Sequence, residues 1–323
     1  MAHLIENMAY AGKTPWHGLG NELAPKQPVE VWAIQAGMDW SICETPVCYR
    51  TNGIDQDHAV LNDDSHKVLY RSDTGAALSV VGERYKVVQP REVLEFYRDL
   101  VNLFGYELET AGVLKEGRKL WALARTGEGA MLRNTDAVRS YLLLATSCDG
   151  TLATVAMPTT VRVVCNNTLS IALKGSASVV RVPHSTTFDP DAVKRQLGIA
   201  TSQWAAFLYR IQSMATRTVK APDATAYFER VLNLPSMDSA SIVAPPASGR
   251  ALKRMLELFD GHGRGAELSS AKGTAWGLLN AVTEYVDHER RAMSAGHRLD
   301  SAWFGPGAAL KQRAFDQAVE LVL

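Results

Sequence analysis

Cysteine is scarce in this chain, with only Cys43, Cys48, Cys148 and Cys165 among 323 residues. The Cys43–Cys48 pair has no second Cys or His pair at zinc-ligand spacing, which argues against a structural metal site. No apolar run approaches the roughly eighteen residues needed to cross a bilayer, and Met1-Ala2-His3-Leu4 does not read as a signal peptide. The expectation is a soluble, cytoplasmic chain with no membrane partner, its cysteines reduced and mostly packed. Net charge is also absent, since 34 Lys and Arg balance 34 Asp and Glu. The whole-molecule field therefore gives no case for nucleic acid or membrane. The eight histidines form no His-x-x-x-His or His-x-His pair, and there is no Gly-x-Ser-x-Gly elbow. Asp287-His288-Glu289 lies on a helical pattern, where adjacent side chains point apart. Gly261-His262-Gly263-Arg264-Gly265 has no strand before it and no Gly-Lys-Ser/Thr after it, so it is no phosphate cradle. Gly18-Leu19-Gly20 is no better. These absences leave no catalytic residue, metal or cofactor to assign, and the expectation is not an enzyme.

What is present is ordinary globular composition, 46% hydrophobic and 21% charged. The length suits one large domain or two of about 150 residues. Charge is unevenly spread. Residues 1–80 carry five Lys/Arg against ten Asp/Glu, a net of −5, and residues 150–220 carry eight against two, a net of +6. A neutral chain with an acidic end and a basic middle can present a local cationic surface, or the charges can be solvated faces of ordinary helices.

Along the chain, residues 40–88 alternate short Val/Ile/Leu/Tyr runs with Asn52-Gly53, Asn62-Asp63-Asp64 and Asp73-Thr74-Gly75, the pattern of a strand meander with hairpin turns. Pro90 starts a helix in which Val93, Phe96, Tyr97, Leu100, Val101 and Phe104 share one face and which Gly105 closes. Strands are predicted at 106–115 and 119–126, then at 140–148 and 152–157, followed by a second helix over 161–173 and a short strand near 177–183. Asp189-Pro190-Asp191 starts a run of helices, with patterns around 203–214, 224–232, 249–259, 271–294 and 308–323. Residues 235–246 and 260–267 read as loops. The expected fold is α+β, an antiparallel sheet with packed helices over 1–188 and a helical C-terminal region over 189–323.

The stretch Tyr141–Leu173 stands out, because two apolar strands joined at Cys148-Asp149-Gly150 run into Arg162, Cys165, Asn166 and Asn167. Unpaired amides are costly to bury. Arg162 near a helix start is unfavourable to the dipole and so calls for an anionic partner, either an internal carboxylate or a phosphate. Asn166 or Asn167 would bond strand edges, or donate to sugar and phosphate oxygens. Arg118 and Arg125 lie on the preceding hairpin. Together these suggest a groove for a single strand, its backbone neutralised and its bases stacked on aromatic rings. Trp16, in Thr14–Gly20, is either such a stacking ring or a plug at a sheet edge.

Gly82–Val101 (GERYKVVQPREVLEFYRDLV), Ala111-Gly112, Gly117-Arg118 and Arg162–Leu169 (RVVCNNTL) resemble a broad family of phage/plasmid-like proteins that carry a domain of unknown function. Pro15–Gly20, Gly273–Arg290 and Arg298–Gly305 look like it too, so the resemblance spans nearly the whole chain. It brings no biochemical role for individual residues. The order of helix, antiparallel strands and helix is also similar to the cores of single-strand annealing proteins, an analogy of fold rather than of function. The resulting expectation is a phage or plasmid DNA-metabolism protein in the host cytoplasm that binds single-stranded DNA as a homo-oligomer, through Arg118, Arg125, Arg162, Asn166 and Lys174, with Trp16 and Tyr85 as stacking platforms. Two alternatives stay open. One is a protein-interaction factor, a counter-defence inhibitor or virion-associated protein, that occupies a host protein through its acidic N-terminal surface. The other is an enzyme of unrecognised type, requiring a deep pocket lined by His17, Asp149, Cys165 or His184.

Overall fold

The strands predicted at 119–126 and 140–148 contain the unbroken apolar runs Leu120–Ala124 and Tyr141–Ala145, which only a sheet buried on both faces can absorb. The computed structural model, describing residues 5–12, 20–51, 60–162, 167–170, 179–200, 203–232 and 246–323, shows such a sheet. Its long strands are β6 (Glu107–Leu114), β7 (Lys119–Leu132), β8 (Asp136–Ser147) and β9 (Thr154–Arg162). Five more strands precede β6 in the chain: β1 (Ile5–Ala11), β2 (Asn21–Leu23), β3 (Ile42–Arg50), β4 (Val60–Arg71) and β5 (Ala77–Gly82). After β9 come β10 (Asn167–Ser170) and β11 (Val180–Val182). The main sheet runs β10-β9-β8-β7-β6-β1-β2, with β11 also on β9, and all its pairs are antiparallel except β1–β2. The other three strands form a separate antiparallel sheet, β3-β4-β5.

Alternation along the main strands sends side chains to two different cores. Trp121, Leu123, Tyr141, Leu143, Val155 and Met157 face one cluster, whereas Leu120, Ala122, Leu142, Leu144 and Ala156 face the other. The first face is covered by α4 (Gln203–Thr216), α5 (Ala221–Val231), α6 (Pro246–Glu257), α7 (Ala275–Glu284), α8 (Ala295–Phe304) and α9 (Pro306–Glu320). The second is covered by α1 (Val29–Gln35), α2 (Pro90–Phe104), α3 (Pro190–Ala200) and the three-stranded sheet. The fold is α+β with a helical C-terminal region, in three layers. Among the described residues, no helix is long and apolar enough to cross a membrane.

Local chemistry explains where the predicted elements hold. The Gln89 backbone N–H donates to Glu92 Oε2 at 2.6 Å at the start of α2, and Gly105 ends it at φ 68°. The Gln89 side chain meanwhile bonds both the N–H and the carbonyl of Ile42, tying α2 to β3. Asp189 Oδ1 accepts from the N–H groups of Asp191 and Ala192, the expected N-cap of α3. Tyr97 donates its phenol to the carbonyls of Ala122 and Leu142, so α2 is pinned to the middle of the sheet.

Three expectations change. The described residues of the predicted 161–173 helix are strand instead: β9 continues to Arg162, and Asn167–Ser170 return beside it as β10, Asn167 opposite Arg162. The β-branched Val161 and Thr168 suit a strand, and an ion pair described below lets Arg162 be buried in one. Asn62-Asp63-Asp64 is not a hairpin turn but part of β4 at a bulge between Pro46 and Val47, where Asp63 Oδ1 accepts from the Ser65 N–H. The N-terminal segment, for which no element is predicted, contributes β1 to the main sheet, with Met8 opposite Gly112. Asn52-Gly53 and 235–245 of the predicted loop lie outside the described residues.

Candidate functional site

Arg162 ends β9 with its guanidinium turned inward, only 3% exposed. Its Nε lies 2.8 and 3.0 Å from the two carboxylate oxygens of Asp136, and its terminal nitrogen is 2.8 Å from Oδ2. Asp136, 0% exposed, also accepts from Ser270 Oγ at 2.7 Å and Trp276 Nε1 at 3.0 Å. Arg162 reaches further to the carbonyls of Arg264 and Gly265. The anion that Arg162 requires is thus an internal carboxylate. The placement of Arg162 on a nucleic-acid surface is corrected on that ground. Its fork closes a bracket between the sheet and the segment leading into α7.

Arg118 and Arg125 do not converge on one groove. They stand at opposite ends of the apolar part of β7, roughly 20 Å apart at strand rise. Arg125 is half-buried and paired across the strands with Glu107. Arg118 is half-buried beside the β8–β9 turn, its carbonyl accepting from the Cys148 N–H at 2.9 Å. Near Arg125, Tyr141 donates its phenol to Glu109 at 2.9 Å. Burial holds the Glu109 carboxyl above its ordinary value, against that hydrogen bond and the pull of Arg125 and Arg139. The folded chain therefore binds this proton more tightly than the unfolded one. Its stabilising contribution is complete below the ordinary value of 4.5 and is lost as pH rises through the higher folded value. Glu109→Gln keeps an acceptor for Tyr141 without the charge. Urea midpoints from pH 4 to 8 are expected to coincide with wild type at the acid end and exceed it progressively above, and coincidence throughout would refute this assignment.

Tyr85 is half-buried rather than open. Its ring stacks on His184 at 4.3 Å, its phenol donates to the Ser147 carbonyl at 2.9 Å, and burial pushes its pKa up to about 12. One face of the expected platform is therefore taken by His184. The imidazole nitrogens lie 3.0 Å from the carbonyls of Lys86 and Leu152. A nitrogen bonds a carbonyl only by donating, so the neutral ring makes one of these bonds at a time and the imidazolium both. Arg84 and Lys86 flank Tyr85 in the chain, and Arg181, opposite Val155, points to the other face of the sheet; all three are exposed. None has an acidic partner among the described residues. Arg181, opposite Val155 on β11, also lines a cleft of about 420 Å³ floored by Leu152, Met157, Trp303 and Phe304. The sequence reading missed these three cations, although Arg84-Tyr85-Lys86, an aromatic between two positive charges, was a local signal for the first two.

Asn166, Lys174, Trp16, His17 and Cys165 lie outside the described residues. Asp149 caps the β8–β9 turn by accepting from the N–H and hydroxyl of Thr151. Burial, with the Asp149 carboxylate beside it, pushes the Cys148 thiol up to about 12, which leaves it a poor nucleophile. Among the described residues, no group of three His, Cys, Asp or Glu side chains is placed to hold a metal ion. No curated protein and no solved structure matches the chain. A match does exist at the level of the family, over residues 77–303, from the start of β5 to Trp303 in α8. By that match the chain belongs to the family described as Domain of unknown function (DUF932).

Proposed function

We propose that this chain is a DNA-metabolism protein of a phage or plasmid that binds single-stranded nucleic acid in the host cytoplasm and promotes annealing. The observation that carries the reading is the pair of exposed cations Arg84 and Lys86 flanking the Tyr85–His184 stack, with Arg181 exposed at the cleft on the other face of the sheet, none of the three having an acidic partner among the described residues. Cations free of internal carboxylates are available to phosphates, and the neighbouring cleft offers Trp303, Phe304 and Met157 as apolar surface for unstacked bases. The surface belongs mainly to the 1–188 region, with α8 and α9 of the 189–323 region closing the cleft. The binding residues are thereby shifted from Arg162 and Arg125, which are internally paired, to these three, with Arg118 near their edge.

Each phosphate neutralised on a single strand contributes about −0.7 to the slope of log K against log salt. Replacing Arg84, Lys86 and Arg181 together with alanine is expected to flatten the slope by about 2 and to weaken binding of a labelled oligonucleotide, with the melting temperature unchanged. Fluorescence anisotropy across a salt series measures both. No salt-sensitive binding at micromolar protein, or an unchanged slope in the triple variant, sinks the proposal.

A further inference from the structure

Residues opposite each other on paired strands share a face of the sheet. Arg181, opposite Val155, therefore stands on the side of the main sheet that the C-terminal helices cover. There it enters the lining of the cleft of about 420 Å³. To that cleft β9 and β11 contribute Val155, Met157 and Arg181, and the α8–α9 corner contributes Trp303, Phe304 and Ala308.

Its polar groups are all donors or neutral. Among the described residues that line it there is no Asp or Glu. Lys311, also in the lining, is 4% exposed and held by Asp287 at 2.9 Å, so its charge is answered. Arg181 is exposed and has no acidic partner among the described residues. A second free donor comes from the backbone. At the start of α9, Pro306 has no N–H, the Gly307 N–H donates to Ser301 Oγ at 3.2 Å, and the Ala309 N–H donates to the Gly305 carbonyl at 3.2 Å. The Ala308 N–H has no acceptor among the described residues, and it sits at the positive end of a 15-residue helix.

A groove that tracks a nucleic-acid backbone carries a run of cations. This cleft offers one free guanidinium and one free N–H, enough for a single phosphate. Its volume lies toward the small end of ligand pockets, about 300–1,000 Å³, and its aromatic and aliphatic lining suits a planar ring. We infer that the cleft is a site for one nucleoside monophosphate unit, its phosphate on Arg181 and the Ala308 N–H and its base against Phe304 and Met157. The choice of a nucleotide over another aromatic anion rests on the function proposed above. That unit occurs both as a free nucleotide and as the phosphorylated end of a single strand. Arg181 and His184 are three residues apart, at most about 10 Å at strand rise. A strand lying on the Tyr85–His184 stack therefore has its end within reach of the cleft.

Calorimetric titration of the full chain with thymidine 5′-monophosphate is expected to show binding. Thymidine, which lacks the phosphate, is expected to bind at least about tenfold more weakly. Arg181→Ala is expected to weaken the monophosphate by about 10- to 100-fold, with the melting temperature unchanged because the side chain is exposed. Ala309→Glu places a carboxylate on the exposed rim of the cleft, in the first turn of α9 where the dipole favours it. That variant is expected to keep its melt and lose the monophosphate. Displacement of the monophosphate by a 5′-phosphorylated oligonucleotide, but not by its 5′-hydroxyl form, supports the site with a strand end as its ligand. Displacement by neither supports it with the free nucleotide as its ligand. Equal displacement by both overturns the inference, since internal nucleotides would then fill the cleft. No binding of the monophosphate at millimolar concentration, equal binding of thymidine, or undiminished binding in Arg181→Ala also overturns it. Salt-sensitive oligonucleotide binding that persists in that case leaves the proposed function standing without this site. Monophosphate binding with no oligonucleotide binding leaves the site standing and removes that function.

Discussion

Arg162→Ala is expected to destabilise the fold by about 3–5 kcal/mol, the usual consequence of removing one partner from a buried ion pair. Asp136, 0% exposed, would keep the Ser270 hydroxyl and the Trp276 indole but lose the guanidinium it pairs with. The carbonyls of Arg264 and Gly265 would lose their donors as well. Against a total stability of about 5–15 kcal/mol, that loss is a fifth or more, so urea midpoints should fall steeply. Replacing both partners with apolar residues, Arg162→Met with Asp136→Leu, strands no charge and is expected to recover most of the stability. The protein that remains folded in Arg162→Ala should bind oligonucleotide as wild type does. Lost binding with an unchanged melt would show instead that Arg162 faces a ligand.

Gly277→Ala is expected to cost at least about 2 kcal/mol despite the helix it sits in. Alanine gains about 1 kcal/mol over glycine in a helix interior. Overpacking costs about 1–3 kcal/mol and more when the obstacle cannot move. Here a Cβ would stand 2.0 Å from the Ala271 carbonyl oxygen and 3.3 Å from the Phe259 ring. The Ala271 oxygen is held in place by the N–H and the hydroxyl of Thr274, each at 3.1 Å. The next residues are fixed by Val219 N–H to Gly273 and Ala275 N–H to Arg217. Gly249 in α6 meets nothing within 4 Å, and Gly249→Ala is expected to stabilise by about 0.5–1 kcal/mol. Thermal melts of the two variants should therefore move in opposite directions. Equal shifts would mean that propensity, not the Ala271 contact, governs residue 277.

How far the sequence was legible depended on whether the deciding partner was local. The α2 helix was readable because Pro90, the apolar positions from Val93 to Phe104 and Gly105 all act within one segment. The β6–β7 and β8–β9 hairpins were readable for the same reason, their turns at Lys115–Arg118 and Cys148–Gly150 being set by a few residues. The segment after β9 was misjudged because its polar block was read as the start of a helix, with Arg162 against the dipole. The competing force was a carboxylate 26 residues earlier in the chain. Asn62-Asp63-Asp64 was misjudged in the same way, since its turn chemistry serves a bulge within a strand.

By itself, then, the sequence determined an α+β chain with its α2 helix, its central hairpins and its basic middle stretch, because periodicity and turn residues encode which face is apolar and where the chain reverses. Only the tertiary structure decided which cations are spent internally and which stay free. Arg162 is spent on Asp136, and the Asp136–Ser270 contact closing its bracket spans 134 residues. Among the described residues Arg84, Lys86 and Arg181 have no acidic partner, and the first two flank a ring stack formed between residues 85 and 184. The physical reason is that charge and periodicity are local properties of a sequence, whereas a charge's partner is fixed by what the folded chain brings against it.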